Sequence, residues 1–206
     1  MLRPEDKVLL DVCCGRWGWS KEFARRGWKC IGIDLVRPLH IPEGCEFICM
    51  NLFDLTKEFL VKHKIKFACA STPCTEFALF GMRMFHAKPP YPVMGIKMFN
   101  HIREILCDTP HIMENVKAAI EFLGPSINNC GPFHLWGSAV PLLVPYGIKK
   151  GIKLKKGRRD EIGRWGSQSW QRKAATAKVS LIPPELAACV ADYAERILEI
   201  RHARTA

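Results

Sequence analysis

Short apolar runs alternate with amphipathic stretches over the first two-thirds of the chain. The apolar runs predict buried strands at residues 7–14, 28–34, 45–50, 65–70 and 111–113. The stretches between them predict helices, of which the clearest are at residues 19–27, 54–63 and 92–107. Strands that alternate with helices are typical of a parallel sheet with right-handed crossovers. We therefore expect an α/β fold with helices on both faces of the sheet.

This alternation ends near residue 124. Residues 133–146 predict one or two further strands, and a basic segment follows them. The chain closes with Pro183-Pro184 and an amphipathic stretch, which predicts a helix with proline at its entry. The apolar stripe of this helix is expected to pack in the core and comprises Leu186, Val190, Tyr193, Ile197 and Ile200.

The composition predicts one folded domain. The chain has 206 residues, of which 48% are apolar and 25% charged, and is long enough to bury its own core. We expect no membrane partner, because no apolar run approaches the roughly 20 residues that span a bilayer. Ten cysteines without a secretory leader are typical of reduced thiols in the cytoplasm of a prokaryote or of a virus-infected host cell. They form no C-x-x-C pair, so we expect no metal site.

The net charge of +11 is concentrated in one segment. Residues 149–173 hold ten Lys and Arg against Asp160 and Glu161, which accounts for +8 of the total. A field of this sign favours a phosphate polyanion, although a solvated basic loop is the simpler alternative. Trp165 and Trp170 lie among the charges and could either stack on bases or anchor the loop to the core.

A glycine turn follows the first predicted strand. The stretch DVCCGRWGW breaks at Gly15 and Gly18 and then opens a helix, and Asp34 ends the second strand. Such a turn brings backbone N–H groups close to a ligand, and the acid can accept ribose hydroxyls. The G-x-G-x-x-G spacing is absent, and Trp17 stands where a pyrophosphate would need room. This favours a nucleoside cofactor without a diphosphate, such as S-adenosylmethionine, over NAD.

A cysteine and a glutamate follow two strands that should be neighbours. Cys74 comes directly after the fourth strand in STPCTEFALFG, where proline and glycine predict a loop, and Glu114 ends the fifth strand in MENV. The carboxyl ends of parallel strands meet at one edge of the sheet, so both should converge with the glycine turn in one crevice. A thiolate nucleophile with a glutamate as proton donor or hydrogen-bond partner is typical of covalent catalysis. Either residue alone could equally belong to a packed turn or a helix cap.

These three motifs, in this order, resemble those of the cytosine-5 DNA methyltransferases. The resemblance spans residues 7 to about 120, and the closing segment LIPPELAACVADYAERI is more weakly similar. It implies a Rossmann-like fold, S-adenosylmethionine as cofactor and DNA as partner. It also implies that Cys74 attacks carbon 6 of a flipped cytosine, while Glu114 holds N3 and the exocyclic amine.

The resemblance also implies the remaining site residues. Gly15 and Gly18 would line the methionine end of the cofactor, Asp34 would bind its ribose, and Asn51 stands where the family usually has an aspartate that binds the adenine amine. The full set expected at the cofactor is Asp11, Cys14, Gly15, Gly18, Trp19, Asp34, Leu35, Asn51, Leu52 and Pro73. Asn115 is also expected at the nucleic acid, and the candidates for the family's arginine pair that contacts cytosine O2 are Arg158, Arg159, Arg164 and Arg172, among which the sequence does not choose.

Two departures from the family pattern change the expected substrate. Thr75 replaces the family's glutamine after the catalytic cysteine, and about 70 residues between Glu114 and the closing helix leave no room for a recognition lobe. We expect one domain, comprising a cofactor and catalytic core at 1–124, a basic substrate-binding region at 125–180 and a closing helix at 181–206. Without a recognition lobe, the protein should show little preference for the nucleotide sequence around its target. RNA or a cytidine nucleotide is the alternative substrate, and a non-catalytic nucleic-acid-binding protein is the second alternative. No pattern indicates an oligomeric state.

Overall fold

One mixed sheet dominates the computed structural model, which describes residues 2–81, 91–147 and 181–205. Within these ranges its seven strands are β1 Val8–Val12, β2 Lys29–Asp34, β3 Cys45–Cys49, β4 Phe67–Ser71, β5 His111–Asn115, β6 Asn128–Cys130 and β7 Phe133–Trp136. The described helices are α1 Ser20–Arg25, α2 Lys57–Lys62, α3 Thr75–Gly81, α4 Val93–Ile105, α5 Ile120–Leu123 and α6 Pro184–Thr205. Short 3-10 helices lie at Pro4–Asp6, Leu52–Asp54 and Lys117–Ala119.

The strand order across the sheet is β3-β2-β1-β4-β5-β7-β6. The first five strands in this order are parallel, and β7 runs antiparallel to both β5 and β6. This Rossmann-like order is typical of S-adenosylmethionine-dependent methyltransferases, and the predicted α/β fold is confirmed. The chain winds outward from β1 to β3 and then returns to β4, so the topological switch point lies between β1 and β4.

Alternate residues of the central strands feed two separate cores. Leu9 and Cys69 face one side of the sheet, where they pack with α1 and α6. Leu10 and Ala68 face the other side, where they pack with residues of α2, α3, α4 and α5. The near-continuous apolar strands follow from burial on both faces, which is what parallel sheets require. The helices therefore lie on both faces, as predicted.

Helix α6 closes one face of the sheet and is held there by polar contacts at its middle. The carboxylate of Glu195 accepts hydrogen bonds from Lys7 Nζ at 2.9 Å and from Trp28 Nε1 at 3.1 Å. Arg26 of the turn after α1 forms an ion pair with Asp192. Within the described residues, no helix combines the length and the apolar character needed to cross a bilayer.

The buried face of α6 differs from the predicted stripe. Leu186 and Val190 are fully buried, as predicted, but Ile200 is 54% exposed and its predicted place in the core is wrong. Small residues occupy the centre of the buried face instead, since Ala187, Ala191 and Ala194 leave no more than 1% of their surface exposed. Alanine lets a helix approach its neighbours closely, and Leu198 rather than Ile200 completes the buried face.

Candidate functional site

A cleft opens at the carboxyl ends of β1, β4 and β5. Its volume is about 270 Å³, many times the ~30 Å³ that one water molecule occupies in the liquid, so it admits an organic ligand. The residues that line it are Asp11, Cys13, Cys14, Gly15, Arg16, Gly18, Trp19, Ser71, Thr72, Pro73, Cys74, Thr75, Glu114, Val116, Phe133, Leu181 and Ile182.

The cleft brings together the predicted nucleophile and the predicted acid. β4 ends at Ser71, and after two further residues Cys74 stands directly before α3, where its carbonyl accepts the N–H of Ala78 at 2.9 Å. Ser71 lies opposite Glu114 in the parallel register of β4 and β5. Cys74 and Glu114 are both half-buried and both line the cleft. The strand order therefore produces the predicted juxtaposition, while the catalytic roles stay predictions.

The turn after β1 contains an unusual run of left-handed residues. Cys13, Gly15 and Trp17 have φ angles of 59°, 47° and 62°. A β-carbon at Gly15 would contact only the Cys13 carbonyl oxygen, at an ordinary van der Waals distance of 3.8 Å, so no side chain from another segment fills the space beside this glycine. A ligand can therefore approach the backbone of Gly15 closely, and this is the reason for a glycine here that the sequence indicates.

Gly18 is required for a different reason. A β-carbon at Gly18 would lie 2.9 Å from Cβ and 3.1 Å from the backbone nitrogen of Ile182, just before α6. Packing against the start of α6, rather than ligand approach alone, thus excludes a side chain at this position.

Trp17 turns away from the cleft and packs against the sheet. Its side chain is 1% exposed, its ring meets Phe47 edge-on, and its Nε1 donates to the His40 carbonyl at 3.0 Å. Gly32 makes room for it, because a β-carbon there would lie 2.2 Å from the indole. The bulky residue in the turn therefore leaves the cleft open, and the expectation that Trp17 blocks the space of a pyrophosphate is wrong.

The predicted cofactor residues divide into two groups. Those that line the cleft are Asp11, Cys14, Gly15, Gly18, Trp19 and Pro73. Those that lie outside it, beyond the carboxyl ends of β2 and β3, are Asp34, Leu35, Asn51 and Leu52. The second group follows strands that neighbour β1 in the sheet, so it extends the same edge rather than forming a separate site.

Backbone donors already use the side chains of Asp34 and Asn51. The Asp34 carboxylate accepts the N–H groups of Gly15 at 3.0 Å and of Val36 at 3.3 Å, which ties the turn after β1 to the end of β2. The amide oxygen of Asn51 accepts the N–H of Phe53 at 3.1 Å and caps the short helix after β3. Each oxygen keeps a further lone pair, so these contacts are compatible with the predicted ribose and adenine roles.

Asp11 is a buried carboxyl at the floor of the cleft. Its Oδ2 accepts the Ser20 hydroxyl at 2.6 Å and the Ser20 N–H at 3.3 Å, at the first turn of α1. Burial, which disfavours the charged form, raises the pKa of Asp11 to about 7, and the bonds from Ser20 only partly offset this.

Three thiols line the cleft, and two of them are poorly suited to ionise. Burial is the main reason that the pKa of Cys13 rises to about 12 and that of Cys14 rises further, with the nearby charges of Asp11 and Asp34 adding to it. A thiol in such surroundings stays protonated at neutral pH and is a weak nucleophile. Cys13 and Cys14 are therefore weak candidates for the nucleophile.

Side-chain hydrogen bonds join the loops around the cleft. The amide nitrogen of Asn115 donates to the carbonyl oxygen and to Oγ1 of Thr72, both at 3.1 Å, and Trp19 Nε1 donates to Ser71 Oγ at 3.0 Å. Asn115 is 1% exposed and does not line the cleft. The structure therefore places it beneath the predicted substrate site. The other four residues predicted at the nucleic acid lie outside the described residues, namely Arg158, Arg159, Arg164 and Arg172.

Several lining residues were not predicted from the sequence. Ser71, Thr72 and Thr75 flank the Pro73-Cys74 pair, so proximity in the sequence could have found them. Phe133 and Ile182 reach the cleft from distant segments, and no local pattern marks them. The described part of the chain contains no group of three or more His, Cys, Asp or Glu side chains arranged to hold a metal ion.

Comparisons with known proteins show only distant similarity. No protein-family model matches the sequence, and no curated protein matches it. A protein from Streptococcus pneumoniae described as an NADH-flavin reductase is similar over 53% of this chain and 46% of its own, with 18% identity and a TM-score of 0.36. A mutant of DNMT2 from Spodoptera frugiperda is similar over 53% and 35%, with 18% identity and a TM-score of 0.34.

A third solved structure has a cofactor product bound. The 1,6-didemethyltoxoflavin-N1-methyltransferase of Burkholderia thailandensis, with S-adenosylhomocysteine, is similar over 64% of this chain and 54% of its own, with 15% identity and a TM-score of 0.35. The chain resembles each of these three structures only distantly and over part of its length. It spans between 35% and 54% of the length of these three proteins.

Proposed function

We propose that this protein is an S-adenosylmethionine-dependent methyltransferase that acts on carbon 5 of cytosine in DNA. One observation carries the proposal. A half-buried thiol and a half-buried carboxyl, Cys74 and Glu114, reach one cleft from adjacent strands, and the glycine turn after β1 lines the same cleft. Covalent activation of a pyrimidine requires this combination.

The residues present fit the cofactor that the resemblance implies. Gly15 lines the cleft, and because it has no side chain a methionine group can approach its backbone closely, while its N–H is donated to Asp34. Asp34 would bind the ribose, while Leu35, Asn51 and Leu52 would surround the adenine. S-adenosylmethionine, when bound, supplies an electrophilic methyl group on a sulfonium centre.

The roles of the protein's own residues follow from the chemistry of cytosine. The Cys74 sulfur adds to carbon 6 of the ring, which makes carbon 5 electron-rich. Glu114 holds the ring through N3 and the exocyclic amine and stabilises the charge that develops there. Carbon 5 would then take the methyl group, with S-adenosylhomocysteine as the leaving group. Loss of the carbon 5 proton to solvent would return its electron pair to the ring, which re-forms the double bond and breaks the bond between carbon 6 and the Cys74 sulfur. Sulfur suits this role because it both attacks and leaves readily.

The choice of DNA as substrate rests on charge and on the resemblance. The +8 segment at residues 149–173 favours a phosphate polymer over a free nucleotide, since a mononucleotide needs no extended basic surface. Contacts to phosphates position a nucleic acid without specifying its sequence, so we expect little sequence preference.

Transfer of a labelled methyl group tests the proposal. The protein is incubated with methyl-labelled S-adenosylmethionine and with matched duplex DNA, structured RNA or cytidine triphosphate. We expect label in 5-methylcytosine of the DNA, complete loss of transfer in Cys74→Ser, and a loss of at least about 10²-fold in Glu114→Gln. Cys107→Ser, which changes an exposed thiol away from the cleft, should transfer at the wild-type rate.

The other substrates define the contrary outcomes. If only RNA or only the nucleotide is methylated, the proposed substrate is wrong, but the proposed methylation of cytosine carbon 5 stands. If the protein binds nucleic acid and cofactor but transfers no methyl group, the proposal that it is an enzyme is contradicted, and a non-catalytic binding protein is favoured.

A further inference from the structure

The segment from Ser71 to Cys74 is held from two sides. On one side Trp19, from the turn after β1, donates its indole N–H to Ser71 Oγ at 3.0 Å. On the other side Asn115, at the end of β5, donates to the carbonyl oxygen and to Oγ1 of Thr72, both at 3.1 Å. The two donors thus bind consecutive residues just before Pro73 and Cys74.

The Asn115 side chain is buried, and both its amide nitrogen and its amide oxygen form hydrogen bonds. The amide oxygen accepts the Val116 N–H at 2.9 Å, so both ends of the side chain are used. Asn115 and Thr72 are 1% and 4% exposed. A buried amide with such partners has one orientation, and replacing its donor would leave the Thr72 carbonyl unsatisfied.

The geometry points to Trp19 and Asn115 as positioning residues that fix the Cys74 sulfur relative to Glu114. This inference rests on the proposed function and goes beyond it, because neither residue needs to touch the cytosine. Asn115 directly follows Glu114, and Thr72 precedes Cys74 by two residues. The Asn115–Thr72 contact therefore couples the two reacting side chains through a short, buried path.

The expected effect is on the rate of the covalent step. Displacing a reacting atom by about 1 Å can lower a rate by about 10²-fold. Loosening the loop should therefore slow attack on carbon 6 and leave cofactor affinity nearly unchanged. It should also admit solvent reagents to the half-buried Cys74.

Four variants separate the contacts. Asn115→Asp is nearly isosteric but replaces the donor with an acceptor. Thr72→Val removes Oγ1, whereas Thr72→Ser retains it and should rescue. Trp19→Phe removes the indole N–H and keeps a ring.

Two matched controls lie away from the cleft. Asn129→Asp changes an exposed asparagine that donates to the Gly131 carbonyl. Trp28→Phe removes an indole N–H that donates to Glu195.

Two readouts are measured on the full chain. The first is the rate of covalent adduct formation with 5-fluorocytosine DNA at saturating cofactor, beside calorimetric affinity for S-adenosylmethionine. The second is alkylation of Cys74 by iodoacetamide, followed by peptide mass spectrometry against the exposed thiols of Cys49 and Cys107.

We expect the adduct rate to fall by about tenfold or more in Asn115→Asp, Thr72→Val and Trp19→Phe. Cofactor affinity should change less than about threefold in Asn115→Asp and Thr72→Val; no such constancy is expected of Trp19→Phe, because Trp19 also lines the cleft. Alkylation of Cys74, relative to Cys49 and Cys107, should rise in the same variants. Thr72→Ser and both controls should behave as wild type.

The inference is overturned if Asn115→Asp and Thr72→Val keep the wild-type adduct rate, or if their relative Cys74 alkylation stays unchanged or falls. A loss of the folded circular-dichroism spectrum in Asn115→Asp leaves Thr72→Val to decide. If the wild-type protein forms no adduct, the proposed function fails, and alkylation alone decides whether the two contacts hold the loop.

Discussion

Ile182 packs against Gly18 so closely that a β-carbon on the glycine would lie 2.9 Å from the isoleucine Cβ. This contact joins the glycine turn after β1 to the residues just before α6. Ile182 and Gly18 also line the cleft, so the closing helix helps to shape the site rather than merely covering the sheet.

Gly18→Ala should therefore destabilise the fold. The added methyl group meets Cβ and backbone atoms that cannot simply rotate away, and overpacking of this kind costs about 1–3 kcal/mol. Ile182→Gly should partly relieve the clash, so chemical denaturation of the double variant should show less destabilisation than the sum of the two single changes. Gly124→Ala, at a site with no atom within 4 Å, should be additive with Ile182→Gly. Simple additivity in the Gly18 pair would show that the contact is not restrictive.

The raised pKa of Asp11 predicts that the protein becomes less stable as pH rises, which is the opposite of the usual effect of a carboxyl group. The pKa of Asp11 is about 7 in the folded protein against 3.8 in the unfolded chain, so the unfolded chain loses this proton first. Stability should therefore fall as pH rises from about 4 to about 7, by about 4 kcal/mol, and stay low above that. Asn at this position can still accept from Ser20 but does not titrate.

Urea unfolding of the wild type and Asp11→Asn between pH 4 and pH 8 measures this difference. The variant should gain stability relative to the wild type as pH rises. Asp54→Asn, which changes an exposed carboxyl in a short helix, is the matched control. A constant difference between wild type and Asp11→Asn would contradict the prediction.

At position 17 a glycine variant should be more stable than an alanine variant, which reverses the usual order of stability. The Trp17 φ of 62° is left-handed, a conformation that costs a residue with a β-carbon about 1 kcal/mol and glycine little. Both truncations lose a buried indole, but Trp17→Gly should stay about 1 kcal/mol more stable than Trp17→Ala in thermal unfolding. At Trp28, which is equally buried and has no positive φ, alanine should be the more stable replacement. The same order at both sites would show that the Trp17 backbone is unstrained.

Charge in the basic segment predicts the salt dependence of DNA binding. Neutralising Lys155, Lys156, Arg158 and Arg159 should lower the slope of log affinity against log salt by up to about 3.6, since each phosphate contact contributes about 0.9. Fluorescence anisotropy over a salt series measures the slope, and neutralising Lys62, Lys64, Lys66 and Lys97 provides a control of equal charge. An unchanged slope in the first variant would exclude the segment from phosphate contact.

The sequence predicts the parallel core well because burial leaves a strong local signal. β1, β2 and β4 are apolar runs between turns, and their alternation with helices implies the strand neighbours that bring Cys74 and Glu114 together. Where tertiary contacts decide, the signal disappears. β6, Asn128–Cys130, holds two asparagines and one buried cysteine, which is too short a pattern to indicate a strand, and among the described strands it pairs only with β7.

In the site, too, residues close to a motif are predictable from the sequence, and residues placed by tertiary contacts are not. Residues next to a motif, such as Pro73, are found from the motif. Gly18 was predicted for cofactor approach, but its restriction by Ile182 depends on a segment more than 160 residues away. Helix α3 was also missed, because the proline and glycine around Cys74 indicated a loop where a helix begins at Thr75.

Mapping of the covalent linkage tests the central claim most directly. The protein is incubated with S-adenosylmethionine and duplex DNA carrying 5-fluorocytosine, whose fluorine blocks the final elimination. The adduct is denatured, digested and sequenced by mass spectrometry. We predict one cross-linked peptide, with the nucleotide attached to the sulfur of Cys74 and no such peptide from Cys74→Ser. Attachment to another residue, or an adduct that survives Cys74→Ser, would contradict the account.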